Sequence, residues 1–300
     1  MSNPINYPAD YLYTLVASPD FSEDGVIFAA RRTGLYRSSD RGQSWLPVFQ
    51  SLGLETLLPT TAVALSPNFS SDRTVFAAVE GNVLRSVDGG ETWTYTELGQ
   101  PAPLVSALCL PPDFSRRDLL LAGTLDDGIL RSTNHGATWH RWNFGLLDPH
   151  IFALHFTLDG TIYAGTESGI FSSTNQGRAW REIDFPMDLA PVISLAAAGD
   201  VLFAGTEENG MYISQDSGGN WQQLAPDQIH GAVHQVLVDG FDIIAVLDDS
   251  IYYSMDQGKS WKARYTAESE NAISNLVVPL GLRPEHPIWV GFSNGDVIKM

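Results

Sequence analysis

Five short segments of the sequence set carboxylates beside glycine, serine or asparagine: VEGN (79–82), TLDDG (124–128), TESG (166–169), TEENG (206–210) and LDDS (247–250). They supply Glu80, Asp126 with Asp127, Glu167, Glu207 with Glu208, and Asp248 with Asp249. A related segment, RRTG (31–34), carries Arg31 and Arg32 instead, and another, FSNG (292–295), carries no charge. Carboxylates gathered on one surface attract a cation or a basic protein. Two of them held about 5 Å or about 6.5–9.5 Å apart can hydrolyse a glycosidic bond. The same residue types also close ordinary exposed turns. With 35 Asp and Glu in the chain, candidate pairs are too many for their number alone to select a chemistry.

Other reactive groups are sparse. His230 and His234 in HGAVH have the spacing of a zinc helix, but no Glu follows the first and the segment reads as a loop entering a strand. His155, in the apolar run FALHF, reads as a core residue, and Cys109, in SALCLP, as a small buried side chain. There is no G-x-S-x-G, phosphate-binding loop or C-x-x-C. Neither a metal nor a cofactor is expected.

The elements that would position these groups follow from a repeat. GLYRSSDRGQSW (34–45) recurs as VLRSVDGGETW (83–93), ILRSTNHGATW (129–139), IFSSTNQGRAW (170–180), MYISQDSGGNW (211–221) and IYYSMDQGKSW (251–261). The tryptophans, Trp45, Trp93, Trp139, Trp180, Trp221 and Trp261, are 48, 46, 41, 41 and 40 residues apart, the length of a four-stranded propeller blade. Each unit opens on an apolar strand such as AVALSP or ISLAAA. A second strand ending in small residues follows (IFAA, LLAG, IYAG), then the GLYRS type, then a fourth that begins at the tryptophan. The small residues fit where neighbouring sheets converge on an axis.

The expected fold is therefore all-β, a single seven-bladed propeller over 1–300, with blades near 11–50, 60–98, 104–143, 150–184, 191–225, 232–265 and 272–300. The last blade lacks the repeated phrase, so residues 2–10 are expected to supply its outer strand and close the ring.

The shared phrase, Ser-x-Asp/Asn-x-Gly-x-x-Trp, resembles the Asp-box, or bacterial neuraminidase repeat. Asp40, Asp88, Asn134, Asn175, Asp216 and Asp256 hold the turn amides, glycine takes the positive φ, and tryptophan packs on the blade. Six copies point to a structural staple. Asp-box propellers include sialidases, tandem-propeller xyloglucanases, sortilin-type receptors and seven-bladed photosystem II assembly factors, so the resemblance implies the fold and leaves the function open. The Arg-Ile-Pro motif that the resemblance implies for a sialidase is missing, and the xyloglucanase cleft needs two propellers where this chain has one.

In such a fold the carboxylate segments and the blade-to-blade links share one end. Blades 2 to 6 would then present an acidic crescent facing Arg31 and Arg32. The links FQSLGLETLLP (49–59), WNFGLLDPH (142–150) and IDFPMDLAP (183–191) either expose their apolar residues to a partner or fold down over the blades. At the other end blades 1 to 3 share the loops SPDFSEDG, SPNFSSDR and PPDFSRRD, whose Phe21, Phe69 and Phe114 are expected to plug the blade edges. Arg37, Arg85 and Arg131 precede the box serine in the same blades and are expected to pair with nearby carboxylates.

A net charge of −18 repels phosphate backbones, which disfavours nucleic acid as a partner. No apolar run is long enough for a bilayer-spanning helix. The N-terminal residues lack a basic start and an apolar stretch, and a single cysteine forms no internal disulfide, so a cytoplasmic location is expected. These observations describe a non-catalytic protein-binding or assembly module whose partner has a basic surface. The alternative is a carbohydrate-active enzyme, a glycoside hydrolase or lyase, using the axial carboxylates.

Overall fold

The computed structural model describes residues 10–187, 190–267 and 271–300, and within them the chain folds into seven consecutive antiparallel sheets arranged as a ring. Six sheets have four strands in sequence order. In the fourth blade these are Ile151–Phe156, Ile162–Thr166, Ile170–Ser173 and Arg181–Ile183. The seventh shows three among the described residues, Ile273–Val277, Trp289–Phe292 and Val297–Lys299. Its expected outer strand, residues 2–10, lies outside the described residues except for Asp10, whose carbonyl sits against Gly295.

Each innermost strand carries a β-bulge near its start. A bulge leaves a carbonyl unpaired within its own sheet. A polar side chain at the bulge of the preceding blade fills that vacancy. Thr61 Oγ1 donates to Val105 O at 2.7 Å, Ser194 Oγ to Val233 O at 2.7 Å, and Ser106 Oγ to Ile151 O. Gln235 both donates to Leu276 O (3.1 Å) and accepts from Leu276 N (2.9 Å). The ring closes where Leu15 N donates to Asn275 Oδ1 at 3.0 Å, joining residues 260 positions apart in sequence. Blade 4 has Phe152 and Ala153 at this place.

The small residues of the second strands stand where the next blade comes closest. A Cβ on Gly165 would lie 2.4 Å from Val192 O, one on Gly205 2.6 Å from Val233 O, and one on Gly123 2.5 Å from the Ile151 side chain. These glycines have no unusual φ, so close approach of neighbouring backbone is what selects them.

The repeated hairpin is built alike in all six copies. In the first, Gly42 N donates to Ser38 Oγ (2.8 Å), and Ser44 N and Ser44 Oγ donate to the Asp40 carboxylate (2.9 and 2.5 Å). Trp93, Trp180 and Trp261 are buried as expected, whereas Trp45, Trp139 and Trp221 are only half-buried. Two of the rings reach back one blade: Trp93 Nε1 donates to Val48 O and Trp180 Nε1 to Trp142 O. Blade 7 substitutes a second-strand residue, Trp289, which donates to Arg41 O at 2.8 Å.

The shared loops of blades 1 to 3 are single helical turns, Phe21–Asp24, Phe69–Asp72 and Phe114–Arg117, each ended by a left-handed residue. Their rings are fully buried, and each meets an aromatic of the preceding blade edge-on: Phe21 on Trp289 (4.8 Å), Phe69 on Phe28 (6.2 Å), Phe114 on Phe76 (5.7 Å). Among the described residues the expected carboxylate pairing of the three arginines holds for Arg37 alone, which meets Glu91 at 2.8 Å. Arg37 and Arg131 each also donate to a carbonyl in the next blade's hairpin, Gly89 O and Gln176 O. Arg85 lies over the Phe76 ring with its Nε buried and without a hydrogen-bond partner. These side chains lie between blades, where packing outweighs charge.

Candidate functional site

The loops between second and third strands and the links between blades occupy one end of the ring, and backbone bonds clamp them together. Leu125 N donates to Leu104 O, Gly128 N to Pro149 O, Glu207 N to Pro191 O and Ile273 N to Asp248 O. Threonines at the ends of the second strands tighten the turns: Thr124, Thr166 and Thr206 donate through Oγ1 to the carbonyls of Gly128, Gly169 and Gly210. The side chains at the loop tips are thus presented on fixed backbone.

Eight of the ten residues singled out for this end are not turned inward. Glu80, Asp126, Glu167, Glu207, Glu208, Asp248 and Asp249 are exposed, as is Arg32. The other two serve the fold. The Arg31 side chain keeps only 14% of its surface, lies 5.0 Å from the Tyr36 ring centre and 5.5 Å from that of Trp45, and meets Asp10 at 3.6 Å. Asp127 pairs with Arg141 at 2.9 Å, while its amide and carbonyl are bonded to Thr124 Oγ1 and Asn143 Nδ2. A Thr in blades 3 to 5 stands where blade 1 has Arg31, and the guanidinium finds its place by stacking rather than by reaching solvent.

Two histidines enter the acidic rim. His234 follows the bulge-entering Val233, which points its ring at the loop tip, and its Nε2 lies 2.7 Å from Asp248 Oδ1. The Tyr11 hydroxyl is pushed up by burial, then by Tyr13 and by Asp248. In blade 4, His150 Nδ1 lies 2.9 Å from Asp148 Oδ1 and 3.2 Å from Glu167 Oε2. The hydrogen bond to Asp148, then its charge and those of Glu167 and Asp126, raise the His150 imidazole against the opposing effect of burial. Burial alone would raise the Asp148 carboxyl, but bonds from His150 and Ser168 outweigh it and hold it below the usual range. Sequence reasoning singled out Glu167 and passed over Asp148 and His150. The only signal available was the Asp-x-His spacing in an otherwise apolar link.

The axis itself is different in character. A cavity of about 370 Å³ runs along the inner strands of blades 3 to 6, bounded chiefly by apolar residues such as Leu154, Leu195 and Leu237, with Gln235 and His155 among them. Among the described residues no carboxylate lines it. Burial pushes the His155 imidazole down to about 4, leaving it neutral. Cys109 is likewise inert, its thiol pushed up to about 12 by burial.

The apolar links do both things expected of them. Phe49 meets Trp93 edge-on, and Phe185 packs on Tyr212 and Trp221. Leu54, Leu57, Phe144 and Leu147 point outward, 52%, 68%, 80% and 76% exposed.

No protein-family model matches the sequence, and a search of curated proteins finds no match. Solved structures are similar in fold. The extracellular domain of the one-component system BT4673 from B. thetaiotaomicron superimposes with a TM-score of 0.73 at 18% identity over 98% of this chain, which spans 38% of that one. The GH74 xyloglucanase from Xanthomonas campestris gives 0.76 at 17% identity, over 97% of this chain and 52% of its own. YCF48 from Cyanidioschyzon merolae gives 0.72 at 14% identity, and here the match covers 99% of this chain and 97% of the other. YCF48 bound to D1 peptide gives 0.73 at 16%. At such identities the likeness is one of fold: a seven-bladed β-propeller, in which both a peptide binder and a glycan hydrolase occur.

Proposed function

We propose that the protein is a non-catalytic binding module that engages a basic protein segment through its acidic rim. The observation that carries this reading is the placement of Glu80, Asp126, Glu167, Glu207, Glu208, Asp248 and Asp249 as exposed side chains on backbone-clamped loops at one end of the ring. Seven carboxylates there, in a chain of net charge −18, attract cationic groups over a Debye length of roughly 8–10 Å at physiological salt. The peptide carried by YCF48, whose chain matches this one nearly end to end, makes protein the favoured class of partner. The exposed Leu57 and Leu147 of the links add apolar contact beside the charge. A cytoplasmic location fits the single free cysteine.

The hydrolase alternative draws on the GH74 likeness. It needs two carboxylates facing one concave site, and the axial cavity offers His155 and Gln235 instead.

The test uses lysine- and arginine-rich peptides and glutamate-rich controls, with binding followed by fluorescence anisotropy across a salt series. The chain should bind the basic set, and the joint substitution Glu167→Gln, Glu207→Gln, Asp248→Asn should weaken binding and flatten its salt dependence while the melting temperature holds. Unaltered binding in that variant overturns the reading. So does turnover of xyloglucan by the wild type that the same variant abolishes.

A further inference from the structure

We propose that Asp148, His150 and Glu167 form a binding site for a divalent first-row transition ion, of which Zn²⁺ is the natural probe. The site shares Glu167 with the acidic rim but does not rest on the rim binding a protein. The link entering blade 4 supplies Asp148 and His150, and the loop between that blade's second and third strands supplies Glu167. The fold therefore brings together donors that lie in separate segments of sequence. One ligand atom from each lies within 4.8 Å of the others.

The spacing fits a coordination shell. Bonds of 2.0–2.1 Å put neighbouring donors about 2.9 Å apart at a right angle and about 3.4 Å apart at the tetrahedral angle. His150 Nδ1 stands 2.9 Å from Asp148 Oδ1 and 3.2 Å from Glu167 Oε2, inside that range. The three side chains line a cavity of about 450 Å³ bounded also by Leu147, Pro149 and Pro191.

Asp148 is also held as a ligand is held. It is buried, and its two oxygens accept from backbone amides, Oδ1 from His150 N at 3.0 Å and Oδ2 from Ser168 N at 2.7 Å. Such outer bonds fix a carboxylate before the ion arrives and leave lone pairs facing the site. One imidazole nitrogen with two carboxylates suits Zn²⁺, Mn²⁺ or Co²⁺, and offers too few oxygens for Ca²⁺. The ion binds Nδ1 in its unprotonated form, so protons compete with it and affinity rises with pH.

The experiment titrates the metal-free full chain with Zn²⁺ by calorimetry, and with Co²⁺ by its visible absorption. One equivalent should bind. His150→Ala and Glu167→Gln should each weaken binding by at least about tenfold, on the scale by which even outer-shell changes act. Glu167 is exposed, so its variant reports on the site without risk to the fold. His234→Ala, which removes the two-residue pair on the same rim, should leave binding unchanged. Retention of wild-type affinity in Glu167→Gln and His150→Ala overturns the proposal, and so does displacement of Zn²⁺ by equimolar Ca²⁺.

Discussion

Asp40, Asp88 and Asp256 hold the repeated hairpins by accepting bonds from hydroxyls and amides that need the charged carboxylate. Bonds from Ser44 and Ser260 hold Asp40 and Asp256 down to about 2, and in Asp88 the bonds of Thr92 overcome the opposing effect of burial to the same end. A carboxyl held below its unfolded value of 3.8 stabilises the fold above that pH, and the contribution is lost as pH falls through about 2. Asn134 shows the neutral solution: its Nδ2 donates to Thr138 Oγ1 where Asp40 and Asp88 accept from Ser44 and Thr92. The joint change Asp40→Asn, Asp88→Asn, Asp256→Asn should therefore flatten the fall in melting temperature between about pH 4 and pH 2. His155 acts in a higher window. Its ring edge lines the axial cavity, yet the packed strands withhold water, and it accepts a proton only near pH 4. The unfolded chain protonates at 6.5, so stability is full above that pH and declines as pH falls toward 4. His155→Gln should remove that slope, which we place on the order of 2 kcal/mol because the ring is not wholly enclosed. Equal pH–stability curves for wild type and variant from pH 7 to 4 would show that water reaches the ring.

At the scale of the element, the blades are held by what passes between them rather than by their own edges. Gly165 is the sharpest case. Gly165→Ala introduces only the methyl that Ala30 and Ala78 already carry in blades 1 and 2, but here it meets the backbone carbonyl of Val192 at 2.4 Å. Backbone must shift, and thermal denaturation should show a loss of about 1–3 kcal/mol. A variant that melts with the wild type would mean that blade 5 can move away freely. The helical turns make the complementary contribution by filling space. Phe69→Ala empties a fully buried site between blades 1 and 2 and should cost about 3–5 kcal/mol.

The whole molecule depends on closing blade 7 onto blade 1, and the contacts that do this include Leu15 N to Asn275 Oδ1, Trp289 Nε1 to Arg41 O, the ring of Phe21 on Trp289, and the shared core of Leu12 and Leu15 with Trp289. They join the two ends of the ring, so their loss bears on every blade at once. Asn275→Ala leaves the Leu15 amide without its partner beside a buried core, and should cost about 1–3 kcal/mol in chemical denaturation. Trp289→Phe keeps most of the packing and loses one bond, an expected cost near 1 kcal/mol. If Asn275→Ala proved neutral, closure would rest on the aromatic contacts and on the N-terminal segment.

The fold is legible in the amino-acid sequence because its decisive signals are local. Period-two apolar strands, a glycine-closed hairpin and a tryptophan at fixed spacing each act within a few residues and repeat often enough to count. The sequence also placed the acidic tips of blades 2 to 6, since turn residues are legible where they stand. What each group faces is set by the folded ring. Arg31 reads as a cation facing the acidic crescent and turns out to be stacked on Trp45; of the arginines before the box serines, Arg37 keeps the expected carboxylate in Glu91 while Arg131 bonds a carbonyl of the next blade. Asp148 and His150 carry no motif, and they acquire a partner in Glu167 only because a link of blade 4 is bonded to that blade's own loop. Charge and size are written residue by residue, whereas burial and convergence depend on chain segments that meet only when the ring closes.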